Sequence, residues 1–134
     1  MIHLVWEYES IEVDFITDGR ENLDSWVPDN PEDVELWLNI YVGERGSAAR
    51  TTFDVVIYTK QKLQTRQKND GQEFLMRFER EKAIIVDKFN WQKIRQKLDA
   101  IIESCQRDTW MDSVKELRKH FPWEYDNFKF AEPE

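Results

Sequence analysis

Apolar and polar residues alternate strictly in the middle of the N-terminal half. Over residues 34–42 every second residue is aliphatic, while Trp37 and Tyr41 fall on the opposite face. Successive side chains of a β-strand point to opposite faces of a sheet, so this pattern predicts a strand. Residues 51–59 are similarly apolar and follow glycine-containing turn residues at 43–46, which predicts that the two strands form a hairpin.

Three other apolar stretches predict shorter strands. Residues 2–8 and 11–15 alternate or nearly alternate, which indicates two strands or one bent ribbon. Residues 83–86 are short, apolar and β-branched, which is typical of a central strand. Residues 17–33 instead collect Asp, Gly, Asn and two prolines, so they predict a long acidic loop.

The C-terminal third changes to helical periodicity. Asn90 predicts the N-cap of a helix that runs to about Cys105 and keeps its apolar residues on one face. Thr109 predicts the N-cap of a second helix, over residues 110–121, whose apolar residues are spaced four, three and four apart. Pro122 ends this pattern because proline cannot continue a helix.

The segment between the hairpin and residues 83–86 has no decisive periodicity. Residues 60–71 are polar and basic and fit either a short surface helix or a mobile loop. Residues 74–78 fit a helix or a strand equally well. The pattern therefore leaves the structure of 60–82 open.

Strands followed by two adjacent amphipathic helices predict an α+β domain. Two neighbouring helices can cover one face of a sheet, so we expect two layers: a mainly antiparallel sheet with the two C-terminal amphipathic helices packed on one face. At 134 residues the chain is expected to form one domain, 1–134, with a frayed tail at 130–134. The predicted core comprises Leu36, Leu38, Ile40, Val55, Ile57, Ile85, Ile94, Leu98, Ile101, Val114, Leu117 and Phe121.

Charge is distributed unevenly along the chain. The net charge is −8, but residues 1–58 contain 13 acids and three bases, whereas the remainder has a net charge of +2. An acidic half repels phosphate backbones, so nucleic acid is not the expected partner. The acidity suits a basic partner, such as the groove of a nucleic-acid enzyme. The alternative is that the charge serves solubility alone.

Residues that commonly form catalytic or metal sites are sparse. His3 and His120 lie at opposite ends of the chain, and Cys105 stands alone on an apolar helical stripe. Four glycines form no phosphate-binding loop, and the 27 acids offer only unspecific carboxylate pairs. We therefore expect no enzyme, cofactor or metal. No run approaches the ~18 apolar residues of a membrane span and no signal segment opens the chain, so we expect a cytoplasmic protein with no membrane partner.

Several short motifs from Val34 onward are distinctive. In chain order they are Ile40-Tyr-Val-Gly43, Phe53-Asp-Val-Val-Ile-Tyr-Thr59, Ile84-Ile-Val-Asp-Lys-Phe-Asn-Trp91 with Ile94, Leu98 and Ile101, Thr109-Trp110 with Val114 and Leu117, and Phe121-x-Trp-Glu-Tyr125 with Phe128. In these motifs, which span residues 34–128, the chain resembles the immunity protein 8 family of bacterial polymorphic-toxin and contact-dependent inhibition systems.

The resemblance implies a small cytoplasmic α+β protein that is encoded beside a toxin. Such a protein would protect the producing cell by binding and neutralising the C-terminal catalytic domain of that toxin, which we expect to be a nuclease. We expect a one-to-one complex and a monomer rather than a homo-oligomer. From the residues alone two alternatives stay open: a carboxylate-based hydrolase, and a structural or adaptor domain that binds another protein.

The stretch 120–128, HFPWEYDNF, contains four aromatics that could form core or a binding surface. In the family this ending belongs to the common framework, whereas toxin-contacting surfaces diverge, which favours core. Phe121 is expected to complete the apolar face of the last helix. Trp123, Tyr125 and Phe128 are expected to fold the C-terminal segment back over helix and sheet.

The candidate partner-binding residues are mostly acids of the loop and of the strand that follows it. They are Asp24, Asp29, Glu32, Asp33 and Glu35. No base stands near them in the sequence, so their fields add and favour a cationic partner. Trp26 lies among them, either as an aromatic anchor for the partner or as a staple of the loop to the core. An interface of standard size covers ~800 Å² per partner, so Glu124 and Asp126 join the candidates if they lie on the same side.

Overall fold

The computed structural model of the protein describes residues 2–17 and 27–126. In these residues an α+β fold is formed by strands β1 (Ile2–Glu7), β2 (Ile11–Thr17), β3 (Glu35–Glu44), β4 (Thr51–Thr59) and β5 (Ile84–Val86) and by helices α1 (Lys60–Glu81), α2 (Trp91–Ser104) and α3 (Trp110–Leu117). The strands form one sheet in chain order, β1-β2-β3-β4-β5. The first four are antiparallel and β5 is parallel to β4, which confirms a mainly antiparallel sheet.

The β3–β4 hairpin fixes the orientation of the central side chains. Leu36 pairs with Ile57 and Ile40 pairs with Phe53, so the aliphatic positions of both strands share one face, called here the core face. Gly43 lies in β3 and not in the turn. A Cβ atom at Gly43 would lie 2.3 Å from the Ala49 carbonyl oxygen, so only glycine permits this close approach.

Helices α2 and α3 cover the core face, as predicted. The Asn90 side chain accepts a hydrogen bond from the Lys93 N–H at 3.2 Å, and Thr109 caps α3 through the Asp112 N–H, also at 3.2 Å. These contacts satisfy N–H groups that a helix start leaves without partners. Helix α3 ends at Leu117, four residues before the predicted end, and residues 118–120 form turns.

The predicted core is confirmed with two corrections. Ten of the twelve predicted residues are buried, and Cys105 is buried with them. Ile101 is only partly buried at the edge of this cluster. Ile85 was assigned to the wrong face: β5 pairs Ile57 with Ile84, so Ile84 enters the core and Ile85 points the other way. In a strand, a shift of one residue reverses the side-chain direction.

Residues 60–81 form a helix that sequence analysis left open. Helix α1 is kinked at Gly71, whose φ of 56° and ψ of −130° are not helical. It connects β4 to the parallel strand β5 and packs on the second face of the sheet, called here the outer face. There Phe74 joins Val56 and Tyr58 in a small buried cluster. The expected two-layer arrangement is therefore not the whole fold. Helix α1 adds a partial third layer on the face that was expected to be free of helices.

The C-terminal segment folds back onto the sheet. The Asp54 N–H donates to the Pro122 carbonyl oxygen at 2.8 Å, and the Glu124 N–H donates to the Thr52 carbonyl oxygen at 2.9 Å. Residues 122–124 thus pair with the edge of β4 that β5 leaves uncovered. The Trp123 ring stacks on Phe53 with centroids 6.4 Å apart. This arrangement confirms the framework role of Trp123, while Phe128 and the tail 130–134 lie outside the described residues.

Candidate partner-binding surface

The acidic segment, defined here as residues 29–33, lies where the chain leads into β3. The side chains of Asp29, Glu32 and Asp33 are exposed. Asp24 and Trp26, which the sequence analysis grouped with them, lie outside the described residues. The described part of the predicted loop therefore presents three carboxylates to solvent.

Hydrogen bonds hold the backbone of the acidic segment in place. The Glu32 N–H donates to the Asn30 side-chain oxygen at 3.0 Å, and the Phe89 N–H donates to the Pro31 carbonyl oxygen at 2.6 Å. Val34, the next residue, donates its N–H to the Thr59 hydroxyl at 2.9 Å and accepts from the Thr59 N–H at 2.9 Å. The segment is thereby hydrogen-bonded both to Thr59, immediately before α1, and to Phe89, shortly after β5. Its exposed carboxylates project from a fixed backbone.

The fold brings bases to the acidic segment that the sequence does not place there. Arg66 of α1 pairs with Glu35 at 2.5 Å, so the Glu35 charge is compensated. Lys62 lines a cleft of about 510 Å³ together with Asp29, Asp33 and Glu35. The local sequence, which has no nearby base, therefore overestimates the negative field of these acids. In the fold, Lys62 and Arg66 in the first turns of α1 lie beside them.

The pairing of Glu35 with Arg66 belongs to a longer chain of contacts. The Trp37 indole N–H donates to Glu35 at 3.0 Å, and the Arg66 Nε–H donates to Asp70 at 2.6 Å. The Arg66 guanidinium also lies 5.2 Å from the centre of the Phe74 ring. These two carboxylates raise the pKa of Arg66 above its usual value. The network fixes Trp37 beside the acidic segment.

Glu124 and Asp126 lie at the opposite end of β4 from the acidic segment. Glu124 accepts a hydrogen bond from the Thr51 hydroxyl at 2.9 Å, whereas Glu35 lies opposite Tyr58. Seven residues of strand separate Thr51 from Tyr58, which corresponds to roughly 24 Å. Asp126 is engaged locally, since it pairs with Arg118 at 3.1 Å and accepts from the Trp123 N–H at 2.8 Å.

The outer face also presents polar and aromatic side chains that are not among the predicted partner-binding residues. Trp37, Asn39 and Tyr41 of β3 lie opposite Val56, Asp54 and Thr52 of β4. Trp37 is 46% exposed, and burial raises the pKa of Asp54. The alternation over residues 34–42 does place Trp37 and Tyr41 together on the face opposite the aliphatic residues. Alternation alone does not distinguish them from other surface aromatic residues.

Buried titratable groups elsewhere have structural partners. The Tyr58 hydroxyl donates to buried Glu81 at 2.7 Å, and the Tyr8 hydroxyl donates to Asp99 at 2.7 Å. Burial and these carboxylates raise the pKa of both tyrosines. Burial likewise raises the pKa of the Cys105 thiol, which disfavours the nucleophilic thiolate.

Two further properties concern the described part of the chain, residues 2–17 and 27–126. Within it, no group of three or more His, Cys, Asp or Glu side chains is arranged to hold a metal ion. Within the same residues, no helix has both the length and the apolar character that crossing a membrane requires.

Comparison with known proteins identifies a family. The model of the family described as Immunity protein 8 matches residues 12–128, so the match begins 22 residues before the motifs that start at Val34. No curated protein and no solved structure gives a match. The match covers strands β2 to β5 and all three helices, together with the C-terminal segment. It extends over most of the chain, and the chain therefore belongs to the immunity protein 8 family.

Proposed function

We propose that this protein neutralises a cognate toxin in the cytoplasm of the producing cell by binding the toxin's catalytic domain. The observation that supports the proposal is the family match over residues 12–128. The complex covers the active site or the substrate surface of that domain. The proposed stoichiometry is one-to-one.

The acidity of the protein supports a basic toxin domain, with a nuclease as the expected class. A nuclease needs a positively charged groove for its substrate, and the N-terminal 58 residues contain 13 acids against three bases. Complementary charge accelerates encounter and suppresses wrong partners. The same charge would not favour a toxin with an acidic active-site groove.

The acidic segment is the proposed first contact. Asp29, Glu32 and Asp33 are exposed, and the backbone that holds them is fixed by hydrogen bonds to Thr59 of β4 and to Phe89, which precedes α2. A fixed segment loses little conformational freedom on binding. Glu124 and Asp126 join the contact only for a partner that extends along the whole length of β4. Asp24, Trp26 and Glu35 complete the proposed set.

Charge reversal tests the acidic segment. The variant with Asp29→Lys, Glu32→Lys and Asp33→Lys is compared with a control in which Glu9, Glu79 and Glu103, all exposed elsewhere, are changed to Lys. Both variants have the same net charge. We expect the first to lose protection in cells that express the cognate toxin, and to associate about 10-fold more slowly with the purified domain at low salt.

Two controls give this experiment a clear outcome. Circular dichroism must show that both triple variants keep the wild-type fold. The control should lose less than the acidic-segment variant at low salt, and the difference should shrink at high salt because exposed charges are screened. If the acidic-segment variant binds at the wild-type rate at both salt concentrations, the segment is only a solvated surface.

A further inference from the structure

Part of the outer face is left without a covering layer by the described elements. The buried cluster beneath α1 contains Val56 and Tyr58. Beyond it lies the open face, defined here as Trp37, Asn39, Tyr41, Thr52 and Asp54, whose residues are exposed or only partly buried. Pairing of Asn39 with Asp54 places the two aromatic residues on either side of this pair, since each is two positions from Asn39 along β3.

Trp37 is unusual for a half-exposed residue because its orientation is fixed. Its indole N–H is bound to Glu35, and Glu35 is bound to Arg66, which Asp70 and the Phe74 ring hold in turn. A partner that packs on this ring therefore loses little side-chain entropy in ordering it. Tryptophan held in this way has the properties of an interface anchor.

Asp54 is unusual for a partly buried carboxylate. Its backbone N–H donates to the Pro122 carbonyl oxygen, but no described residue gives its side chain a hydrogen bond or an ion pair. Burial disfavours its charge and raises its pKa. A partly desolvated carboxylate without a protein partner destabilises the free protein, so its position favours a cation supplied from outside.

The surroundings of the open face favour a cationic group over an anionic one. Glu12 and Asp14 lie on the β2 side and share one base, Arg50, at 3.4 and 3.1 Å. On the α1 side, Glu35 and Asp70 share Arg66. In each of these two clusters, two carboxylates therefore share a single guanidinium group.

We infer that the open face receives an arginine side chain of the toxin domain, whose guanidinium pairs with Asp54 and packs against Trp37 and Tyr41. The inference rests on the proposed function, since the toxin domain supplies the arginine. Guanidinium is favoured over ammonium because it is planar, stacks on aromatic rings and forms two parallel hydrogen bonds with a carboxylate. The open face continues into the acidic segment through Glu35, so one partner can cover both.

Binding of the purified toxin domain encoded beside this gene, in a catalytically inactive form, tests the inference. Trp37→Ala and Asp54→Asn are compared with wild type and with Met111→Ala, which truncates an exposed apolar residue of α3. We expect each open-face variant to raise the Kd about 30-fold, as for a hot-spot residue, and Met111→Ala to leave it unchanged. Asn is nearly isosteric with Asp, so the Asp54 variant keeps the fold.

The possible results separate the two proposals. If wild type does not bind the toxin domain, the proposed function fails. If wild type and both open-face variants bind equally well, the proposed function stands and the open face is not the contact. If wild type alone forms a dimer that Trp37→Ala dissociates, measured by sedimentation, a second copy occupies the face and the inference is wrong.

A double-mutant cycle tests the arginine itself. Arginines of the toxin domain are changed singly to Lys and measured against wild type and Asp54→Asn. We expect one of these changes to weaken binding to wild type by about 10-fold while adding little to the loss in Asp54→Asn, because the two residues act as a pair. If every arginine change weakens both complexes by the same factor, no arginine pairs with Asp54.

Discussion

The two faces of the sheet differ in what covers them. On the core face, aliphatic residues of β3 and β4 meet α2, α3 and the C-terminal segment in one continuous buried cluster. On the outer face, the described part of the chain has a small buried cluster beneath α1, together with ion pairs and hydrogen bonds such as Arg66–Glu35 and Tyr58–Glu81. The first face supplies apolar burial for stability, whereas the second leaves polar and aromatic groups accessible.

Helices α2 and α1 show the same contrast. The apolar residues of α2 recur on one face and most of them are buried, as at Leu98, which is 1% exposed. In α1 only Phe74 and Glu81 are buried, while Leu75 and Met76 are exposed. A crossover helix must span from one strand to the next, and its position is set by that connection as well as by burial. Four predictions test this difference, in order of decreasing effect.

The largest effect is expected from a truncation in α2. Leu98→Ala should lower the free energy of unfolding by about 3 kcal/mol, because it removes apolar burial and leaves a cavity. The matched change in α1, Leu75→Ala, should cost less than about 0.5 kcal/mol because Leu75 is 50% exposed. Urea unfolding measures both. Equal losses would show that the two helices contribute similarly to stability.

A smaller effect is expected from the polar contact beneath α1. Tyr58→Phe removes the hydroxyl that donates to buried Glu81 and should cost about 2 kcal/mol. Adding Glu81→Leu should recover most of this loss, since both partners are then apolar. Thermal and urea unfolding of the single and double variants give the comparison. A double variant no more stable than Tyr58→Phe would contradict the assigned role of this pair.

The kink in α1 tests whether its path is imposed by the connection. Gly71 has a φ of +56°, which side-chain-bearing residues rarely adopt, and no atom lies within 4 Å of the position of an added Cβ. Gly71→Ala should therefore cost about 1.5 kcal/mol through backbone strain and not through collision. Unfolding measurements test the cost. A gain in stability would mean that α1 straightens without losing the Phe74 contacts.

The smallest effect on stability is expected at Asp54. Burial raises its pKa in the folded state above 3.8, so its ionised form destabilises the fold at neutral pH. As pH falls through the folded-state pKa, protonation removes this penalty. Asp54→Asn should therefore be equal to or slightly more stable than wild type at pH 7, with the difference disappearing towards pH 4. A variant that is less stable at pH 7 would mean that the carboxylate stabilises the free protein.

The sequence alone determined the elements whose signals are local. Alternation predicted the β3–β4 hairpin, and Asn90 and Thr109 identified the starts of α2 and α3. These predictions succeeded because strand alternation and N-caps depend on residues a few positions apart. The family motifs added a framework role for the aromatic ending, which is confirmed for Phe121 and Trp123, whereas Tyr125 is 40% exposed.

Only the tertiary structure decided which distant groups meet. It placed Arg66 on Glu35, directed Ile84 and not Ile85 into the core, and put Glu124 at the far end of β4 from the acidic segment. It also left Asp54 partly buried, with no side-chain partner among residues 2–17 and 27–126. These outcomes depend on strand register and on where a kinked crossover helix lies. Such features follow from packing of the whole chain, because one residue of register reverses a face and charges far apart in sequence meet only in the fold.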